Sequence, residues 1–315
     1  MSKKFIPTLK SSFCKIISRR RSVSPILATV IIFALILVGV MVTYIQIIPF
    51  IDRAQTEESI TAVRNSFLEL DSTIKSLISE SGAPGGFSTI LMQVPSGQVD
   101  YTPESYHIGL RLVDQNDQLV YNIFNDIDPQ DGILDIGILD WVYNSPQAVL
   151  PRGSFQYLTG PNPFETRDQV FITGPFSTTT WPDVTNLTLS HQNDRRHHIS
   201  LNYRIAIHLS IETSPIPEIR FQIFLVLISG DFETIRTDFK QVSVHVQQNS
   251  TSPVVVPGTS GLAQLDLVWE KIPSLGGSGI DNTIWSTRSL QGIASLAGFD
   301  VIVHTVIYQV SLSTP

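Results

Sequence analysis

Residues 19–51 read RRRSVSPILATVIIFALILVGVMVTYIQIIPFI, and this stretch decides the architecture of the chain. No Asp, Glu, Lys or Arg occurs between Arg21 and Asp52. An α-helix rises about 1.5 Å per residue, and roughly 20 apolar residues suffice to cross the hydrocarbon core of a bilayer. Residues 23–51 exceed that length, so we predict a membrane span there.

Basic residues precede the span and predict its orientation. Residues 1–22 contain no Asp or Glu, and clusters of Lys and Arg beside a span stay on the cytoplasmic side. We therefore predict a basic cytoplasmic leader over residues 1–22, with the chain after Asp52 outside the cell. The basic side chains of the leader are Lys3, Lys4, Lys10, Lys15, Arg19, Arg20 and Arg21.

The junction between leader and span carries a family resemblance. Residues 20–28 read RRSVSPILA: basic residues, one small residue, then VSP leading straight into the apolar run. This junction resembles the N-terminus of archaeal type IV pilins and pilin-like proteins, which carry a class III signal peptide. The resemblance implies that prepilin peptidase cuts between Ser22 and Val23 on the cytoplasmic side. The family usually has Gly or Ala at the position of Ser22, which is also small.

The same resemblance implies a structural role for the apolar helix. In such proteins the helix sits in the membrane before assembly and afterwards bundles with the helices of other pilin subunits, identical or different. At 315 residues the chain is long for a major pilin, which favours a minor or specialised subunit with a role in surface adhesion. The residues predicted to form the membrane and assembly surface are Pro25, Ile26, Leu27, Ile31, Phe33 and Leu37.

An uncleaved signal anchor needs the same apolar helix. On that alternative the chain is a permanently anchored single-pass protein, and its outer domain binds a ligand, sugar or cell-envelope partner without polymerising. Removal of the leader, which contains the only cysteine, Cys14, distinguishes the two readings.

The composition after the leader is acidic and free of cysteine. Seven of the 21 basic residues lie in residues 1–22, which leaves the other 14 against 28 acidic residues. Phosphate binding needs a basic face, so the composition argues against nucleic acid as a partner. Without a thiol, the exported part can form no disulfide.

The helix is predicted to continue to residue 81. Apolar residues recur at intervals of three and four, at Ile60, Val63, Phe67, Leu70, Ile74 and Leu77. Such a stripe predicts a helix with one covered face. The stripe packs either on the chain's own outer domain or against neighbouring subunits. Residues 81–86, SGAPGG, are expected to end the helix.

From residue 87 the hydrophobic period changes from helical to two. Residues 201–212 alternate and predict one continuous strand with a core face and a water face, whereas residues 219–228 are apolar on both faces and should lie between two layers. We predict an α+β fold class, in which an extracellular antiparallel β-sandwich over residues 87–315 follows the helix. A short helix is considered over 284–297. Further strands are predicted near 88–94, 106–114, 118–124, 169–172, 184–190, 241–247, 262–270 and 300–312.

Few side chains suggest chemistry. Asp126, Asp128, Asp131 and Asp135 have a spacing similar to that of calcium loops, with an ordinary acidic turn as the alternative. No nucleophile elbow, phosphate loop or dinucleotide motif is found, so we expect no enzymatic activity and no cofactor.

Two polar features remain. The histidines of the segment 191–198 are predicted to lie in a solvated hairpin turn, where adjacent His197 and His198 point to opposite faces and cannot share a metal. Asn186 and Asn249 each begin an N-x-Ser/Thr tripeptide in the part predicted to lie outside, where N-glycosylation can occur.

Overall fold

A computed structural model describes residues 25–80, 85–125, 127–128, 132–145, 153–158, 169–173, 184–192, 195–212, 217–250, 252–257, 264–273, 279–286 and 299–314. They form one long helix, α1 (Pro25–Glu80), followed by a large sheet. The chain divides into two compact units, residues 1–54 and 55–315, with the boundary inside α1. The predicted order, a long apolar helix followed by a β-rich part, is confirmed.

The strands belong to one 14-stranded sheet. Its main path runs β4-β6-β7-β3-β1-β10-β14-β9-β8-β5, with β2 and β12 on β1, β13 on β12, and β11 on β14. The strands are β1 Gly86–Asp114, β2 Leu119–Asn122, β3 Ile133–Asn144, β4 Phe155–Tyr157, β5 Gln169–Thr173, β6 Thr185–Gln192, β7 Arg196–Tyr203, β8 Ile205–Glu212, β9 Glu218–Ser229, β10 Ile235–Ser250, β11 Val254–Val256, β12 Leu265–Pro273, β13 Ile280–Ser286 and β14 Asp300–Ser313.

The sheet is mixed, so the prediction of a wholly antiparallel arrangement is wrong. β14 runs parallel to β9, and β5 runs parallel to β8. Antiparallel neighbours can be joined by tight hairpins, but parallel strands need long connections. Both parallel pairs join strands that are distant in sequence, and alternation within a strand carries no signal for the direction of such a partner.

Strand β1 changes partners along its 29 residues. Its first part pairs with β10, its middle with β3, and its end with β3 and β12. The register shifts between Val94 and Gln98 and again between Thr102 and Tyr106. Such irregularities bend a strand and increase its twist. As a result, β1 contributes side chains to two separate hydrophobic cores.

The first core is covered by the part of α1 that belongs to the unit 55–315. Val63, Phe67, Leu70 and Ile74 are fully buried, and they pack with residues of β1, β3, β7, β10 and β14. Burying a side chain of this kind contributes about 1.5–3 kcal/mol relative to exposure. The interpretation that the helical stripe packs on the chain's own β-rich domain is therefore confirmed.

The second core lies on the other face of β8, β9 and β14. Along β9, Phe221, Ile223 and Leu225 enter this core, whereas Phe224 and Val226 enter the first. The prediction that residues 219–228 lie between two apolar layers is confirmed.

Residues 201–212 do not form one strand. β7 ends at Tyr203 and β8 begins at Ile205, and the backbone N–H of Arg204 between them donates to Val184 O at 2.7 Å. Tyr203 enters the first core and Ile205 the second, because the chain moves to a different place in the sheet at Arg204. The predicted water face is also wrong: Arg204 and His208 are buried.

Four further strands were not predicted, namely β3, β4, β11 and β13. β3 was not predicted, because its buried positions do not alternate regularly along the strand. They are even-numbered in the second core, at Leu134 and Ile136, and odd-numbered in the first core, at Leu139 and Trp141. The helix considered over 284–297 is wrong at its start. Residues 284–286 end β13, where Trp285 packs edge-on against Phe221 at 5.3 Å between ring centroids. Residues 287–297 lie outside the described part.

Candidate functional site

The apolar surface of α1 is the first candidate site. Over residues 25–51 its large apolar side chains apart from Ile48 are exposed, from 46% at Ile51 to 75% at Ile26. By length and composition the helix can cross a membrane, and none of its most apolar window is buried inside the protein. A helix that is hydrophobic all round normally lies in a membrane or among other helices. This segment therefore needs an apolar environment.

The two threonines of this segment suit such an environment. Thr29 Oγ1 donates a hydrogen bond to Ile26 O, and Thr43 Oγ1 donates to Gly39 O, both at 2.8 Å. Each hydroxyl proton is thus satisfied by the helix's own backbone, and polar groups in lipid must be satisfied internally. The helix continues through Pro49, so the proline does not end it.

The predicted assembly residues all lie on this helix and are exposed. The six are Pro25, Ile26, Leu27, Ile31, Phe33 and Leu37. The predicted processing residues, Ser22 and Val23, lie outside the described residues, so the cleavage site stays a prediction. The same holds for the cytoplasmic leader over 1–22.

The calcium candidates are not brought together as one site in the described part of the chain. Asp135 lies on β3, where its Oδ1 contacts His107 Nδ1 at 2.5 Å across the β1–β3 pair. Asp128 lies in a turn: its backbone N–H donates to Phe124 O at 2.8 Å. Asp126 and Asp131 lie outside the described residues. Among the residues described, no group of three or more His, Cys, Asp or Glu could hold a metal ion.

The histidine segment is only partly a solvated turn. Arg195 and Arg196 are exposed, but His191 and His197 are buried cross-strand partners on β6 and β7. The prediction of a solvated turn is wrong for these two, because pairing of the strands brings residues six apart face to face. His198 points to the other face, as predicted, and its Nε2 lies 3.2 Å from Asp140 Oδ1.

The two glycosylation candidates differ in accessibility. Asn249 lies on β10 and is exposed, and its Nδ2 donates to Gln309 Oε1 at 3.2 Å. Asn186 lies on β6 opposite Asn202 and is half-buried. Its Oδ1 is buried without a hydrogen-bond partner within the part of the chain that the structure describes. Asn249 is thus the more accessible of the two amides.

Sequence reasoning missed a cleft in the unit 55–315 that is lined by both polar and apolar side chains. A cavity of about 810 Å³ opens over strands β8, β9 and β14. Its polar lining residues include His208, Ser210 and Glu212 on β8, Arg220 and Gln222 on β9, and His304 on β14. Strands β8 and β9 are consecutive, but β14 is distant in sequence, and only the alternation of polar and apolar residues was visible beforehand.

The fold thus defines a protein with an exposed apolar helix and a β-rich unit. Comparison of the chain with protein-family models, curated proteins and solved structures finds no match. Its function is therefore inferred from its own residues and their geometry.

Proposed function

We propose that the chain is a pilin-like structural subunit of an archaeal type IV pilus-like surface filament, in a minor or specialised role. The observation that carries this proposal is the apolar segment 25–51 of α1, whose large apolar side chains apart from Ile48 are exposed. The basic leader and the RRSVSPILA junction at residues 20–28 support it.

The apolar helix can exchange one environment for another. Removing apolar surface from water contributes about 25 cal/mol per Å², so the segment 25–51 must be covered. Lipid tails and leucine side chains are about equally apolar, so a helix can leave lipid for a bundle of helices without losing hydrophobic stabilisation. Such a helix first lies in the membrane, N-terminus in the cytoplasm, and later packs with other subunits while the β-rich unit lies outside the cell.

The leader controls when that exchange can occur. Its seven basic residues resist transfer through the bilayer, because a charged side chain at the bilayer centre costs roughly 2.5–3.5 kcal/mol or more. While residues 1–22 remain attached, the helix is held in the membrane. Cleavage by prepilin peptidase before Val23 removes all of these charges and leaves an apolar N-terminus that can enter a bundle.

The N-terminal residue of the native protein tests this proposal. Intact mass and N-terminal peptide mapping are applied to protein from native membranes and from sheared surface filaments. We expect a mature start at Val23 in both fractions. A chain that still begins near Met1 and retains Cys14 would contradict the filament proposal.

Two variants sharpen the experiment. Ser22→Gly places the family's usual small residue at the cut and is expected to be processed. Ser22→Trp keeps every charge of the leader but is too large for a small-residue site, and it should accumulate uncut and be absent from filaments. Equal processing of the two variants would show that the cut does not occur at Ser22.

The second candidate is a signal-anchored surface protein whose β-rich unit binds a ligand without polymerising. The specific observation that favours it is the cleft over β8, β9 and β14, which is lined by both polar and apolar side chains. On this alternative the leader stays attached and the apolar helix serves only as an anchor. The same mass measurement distinguishes the two candidates.

A further inference from the structure

The cleft lies on an ordered grid of side chains. His208 is opposite Gln222 in the β8–β9 pair, and Gln222 is opposite His304 in the β9–β14 pair. In the next row, Ser210 is opposite Arg220. Alternate residues of a strand point to the same face, so these rows share one face of the sheet.

The same face is apolar one row away. Ala206, Phe224 and Val306 form the neighbouring row in register, and all three are buried in the first core. Along each of these strands, this face of the sheet therefore changes from an apolar to a polar side chain over two residues. Ser210, Gln222 and His304 are partly exposed and Arg220 is exposed, so the polar part of this face is open to a ligand.

The floor of the cleft is firmly supported. Behind the polar rows, Leu209, Phe221 and Val303 form one row of the opposite face, and each is almost fully buried in the second core. Close-packed cores hold side chains in fixed positions. The hydrogen-bond donors and acceptors of the cleft therefore lie on strands that a close-packed core holds in place, as a preformed binding site requires.

The charges of the cleft are matched internally. Arg220 Nε and Nη2 donate to Glu218 Oε2 at 2.8 and 2.6 Å, and Arg220 Nη1 lies 3.9 Å from Glu212 Oε1. The hydrogen bonds that the Arg220 guanidinium donates to Glu218, with the negative charges of Glu212 and Glu218, raise its pKa. An anionic ligand would have to compete with these carboxylates, and a cationic ligand with the guanidinium.

We propose that this cleft binds a neutral saccharide. Sugar hydroxyls both donate and accept hydrogen bonds, and so do the imidazoles of His208 and His304, the amide of Gln222 and the hydroxyl of Ser210. Pro253 and Ile302 also line the cavity and offer apolar contact to the C–H face of a sugar ring. The volume of about 810 Å³ lies in the upper part of the range of small-molecule pockets and accommodates an oligosaccharide. The inference rests on the cleft alone and does not require filament assembly.

Binding is tested on the full chain in a detergent without a sugar headgroup. The probes are maltotriose, cellotriose, mannotriose and chitotriose, measured by saturation-transfer NMR and calorimetry, with inorganic phosphate and calcium chloride as charged comparators. We expect at least one trisaccharide to bind saturably and the two salts not to compete with it. Absence of saturable binding by all four sugars, or displacement by phosphate, would overturn the proposal.

Matched variants place the binding in the cleft. Gln222→Leu removes the central amide with little change in volume and should weaken trisaccharide binding at least tenfold. Gln241→Leu makes the same change at an exposed position of β10, outside the cleft lining, and should bind like the wild type. Ser210→Ala, a smaller change, should weaken binding to a lesser degree. Equal binding by the Gln222 and Gln241 variants would show that the sugar binds elsewhere, whether or not the leader is cleaved.

Discussion

His191 and His197 stack across strands β6 and β7, with ring centroids 4.8 Å apart and ring planes at 17°. Both rings are buried, and Tyr143 stacks on the far side of His197 at 6.4 Å. Within the described part of the chain, neither ring nitrogen of His191 has a hydrogen-bond partner. This imidazole therefore acts as an aromatic packing group rather than as a polar one.

Replacing His191 by phenylalanine should leave stability unchanged or raise it. The variant His191→Phe keeps a flat ring in the stack and removes two nitrogens whose burial without partners costs roughly 1–3 kcal/mol. Chemical unfolding measures the effect. The control, His198→Phe, loses the contact with Asp140 and should be slightly destabilised. Marked destabilisation of His191→Phe would show that the imidazole nitrogens are needed.

Asp71 fixes α1 to the sheet, and its removal should be costly. Its Oδ1 accepts hydrogen bonds from Thr185 Oγ1 at 2.6 Å and Tyr203 OH at 3.1 Å, while its Oδ2 lies 2.9 Å from Lys75 Nζ. Asp71→Ala removes the acceptor of both hydrogen bonds and the charged partner of Lys75, and it should lower the free energy of unfolding by about 3 kcal/mol.

Two controls separate the network from the helix itself. Asp71→Asn keeps an acceptor oxygen and should lose less than Asp71→Ala. Glu69→Ala changes an exposed acid on the same helix and should unfold like the wild type. Equal losses for Asp71→Ala and Glu69→Ala would contradict the assigned role.

Phenylalanines at two places in α1 should have opposite phenotypes. Phe67 is fully buried in the first core, so Phe67→Ala should destabilise the unit 55–315 by about 3–5 kcal/mol. Phe33 is 64% exposed, so Phe33→Ala should leave that unfolding free energy unchanged. If the chain assembles into a filament as proposed, Phe33→Ala should weaken filament assembly instead. Chemical unfolding and the yield of sheared filaments report the two effects.

Gly230 should not tolerate a side chain. It has φ +128°, and a Cβ atom at this position would lie 2.2 Å from the backbone oxygen of Leu312. Gly230→Ala should therefore force the end of β9 away from β14 and cost at least 1–3 kcal/mol. Gly153→Ala is a useful control, since its φ of +73° is also left-handed but nothing lies within 4 Å. A similar loss in both would assign the effect to backbone conformation alone.

Because of Tyr101, the free energy of unfolding should decrease as the pH rises through the alkaline range. Burial raises the pKa of its phenol, and the hydroxyl donates a hydrogen bond to Ile228 O at 2.5 Å. Because the folded pKa lies above the unfolded value of about 10, the neutral phenol's contribution is complete below pH 10 and is lost as pH rises further. Unfolding free energies measured between pH 8 and 11 should fall less steeply in Tyr101→Phe than in the wild type.

The sequence predicts some of these features better than others, for physical reasons. The stripe containing Phe67 and Leu70 is visible because one helix presents one face to one core. β3 could not be predicted in this way, because its buried side chains switch from even-numbered to odd-numbered positions between Ile136 and Leu139, where the strand passes from one core to the other. A period of two can identify a strand only while the strand faces the same core.

The sites that depend on pairing could not be predicted in the same way. The stack of His191 on His197 and the row formed by His208, Gln222 and His304 both depend on register between strands. Local composition does not encode that register. The proposed assembly surface, by contrast, is contiguous in sequence, so its residues could be predicted from hydropathy together with the family resemblance of residues 20–28.

The change of partners along β1 has a mechanical consequence. One strand supplies Met92 to the first core and Leu110 to the second. Unfolding of either core therefore removes contacts that hold this strand, and so destabilises the other core. The protein therefore offers no cutting point inside residues 86–114 from which two self-sufficient fragments could be expressed. A protease nick there would destabilise both cores at once, and amide protons of both cores should exchange with solvent in a single concerted event.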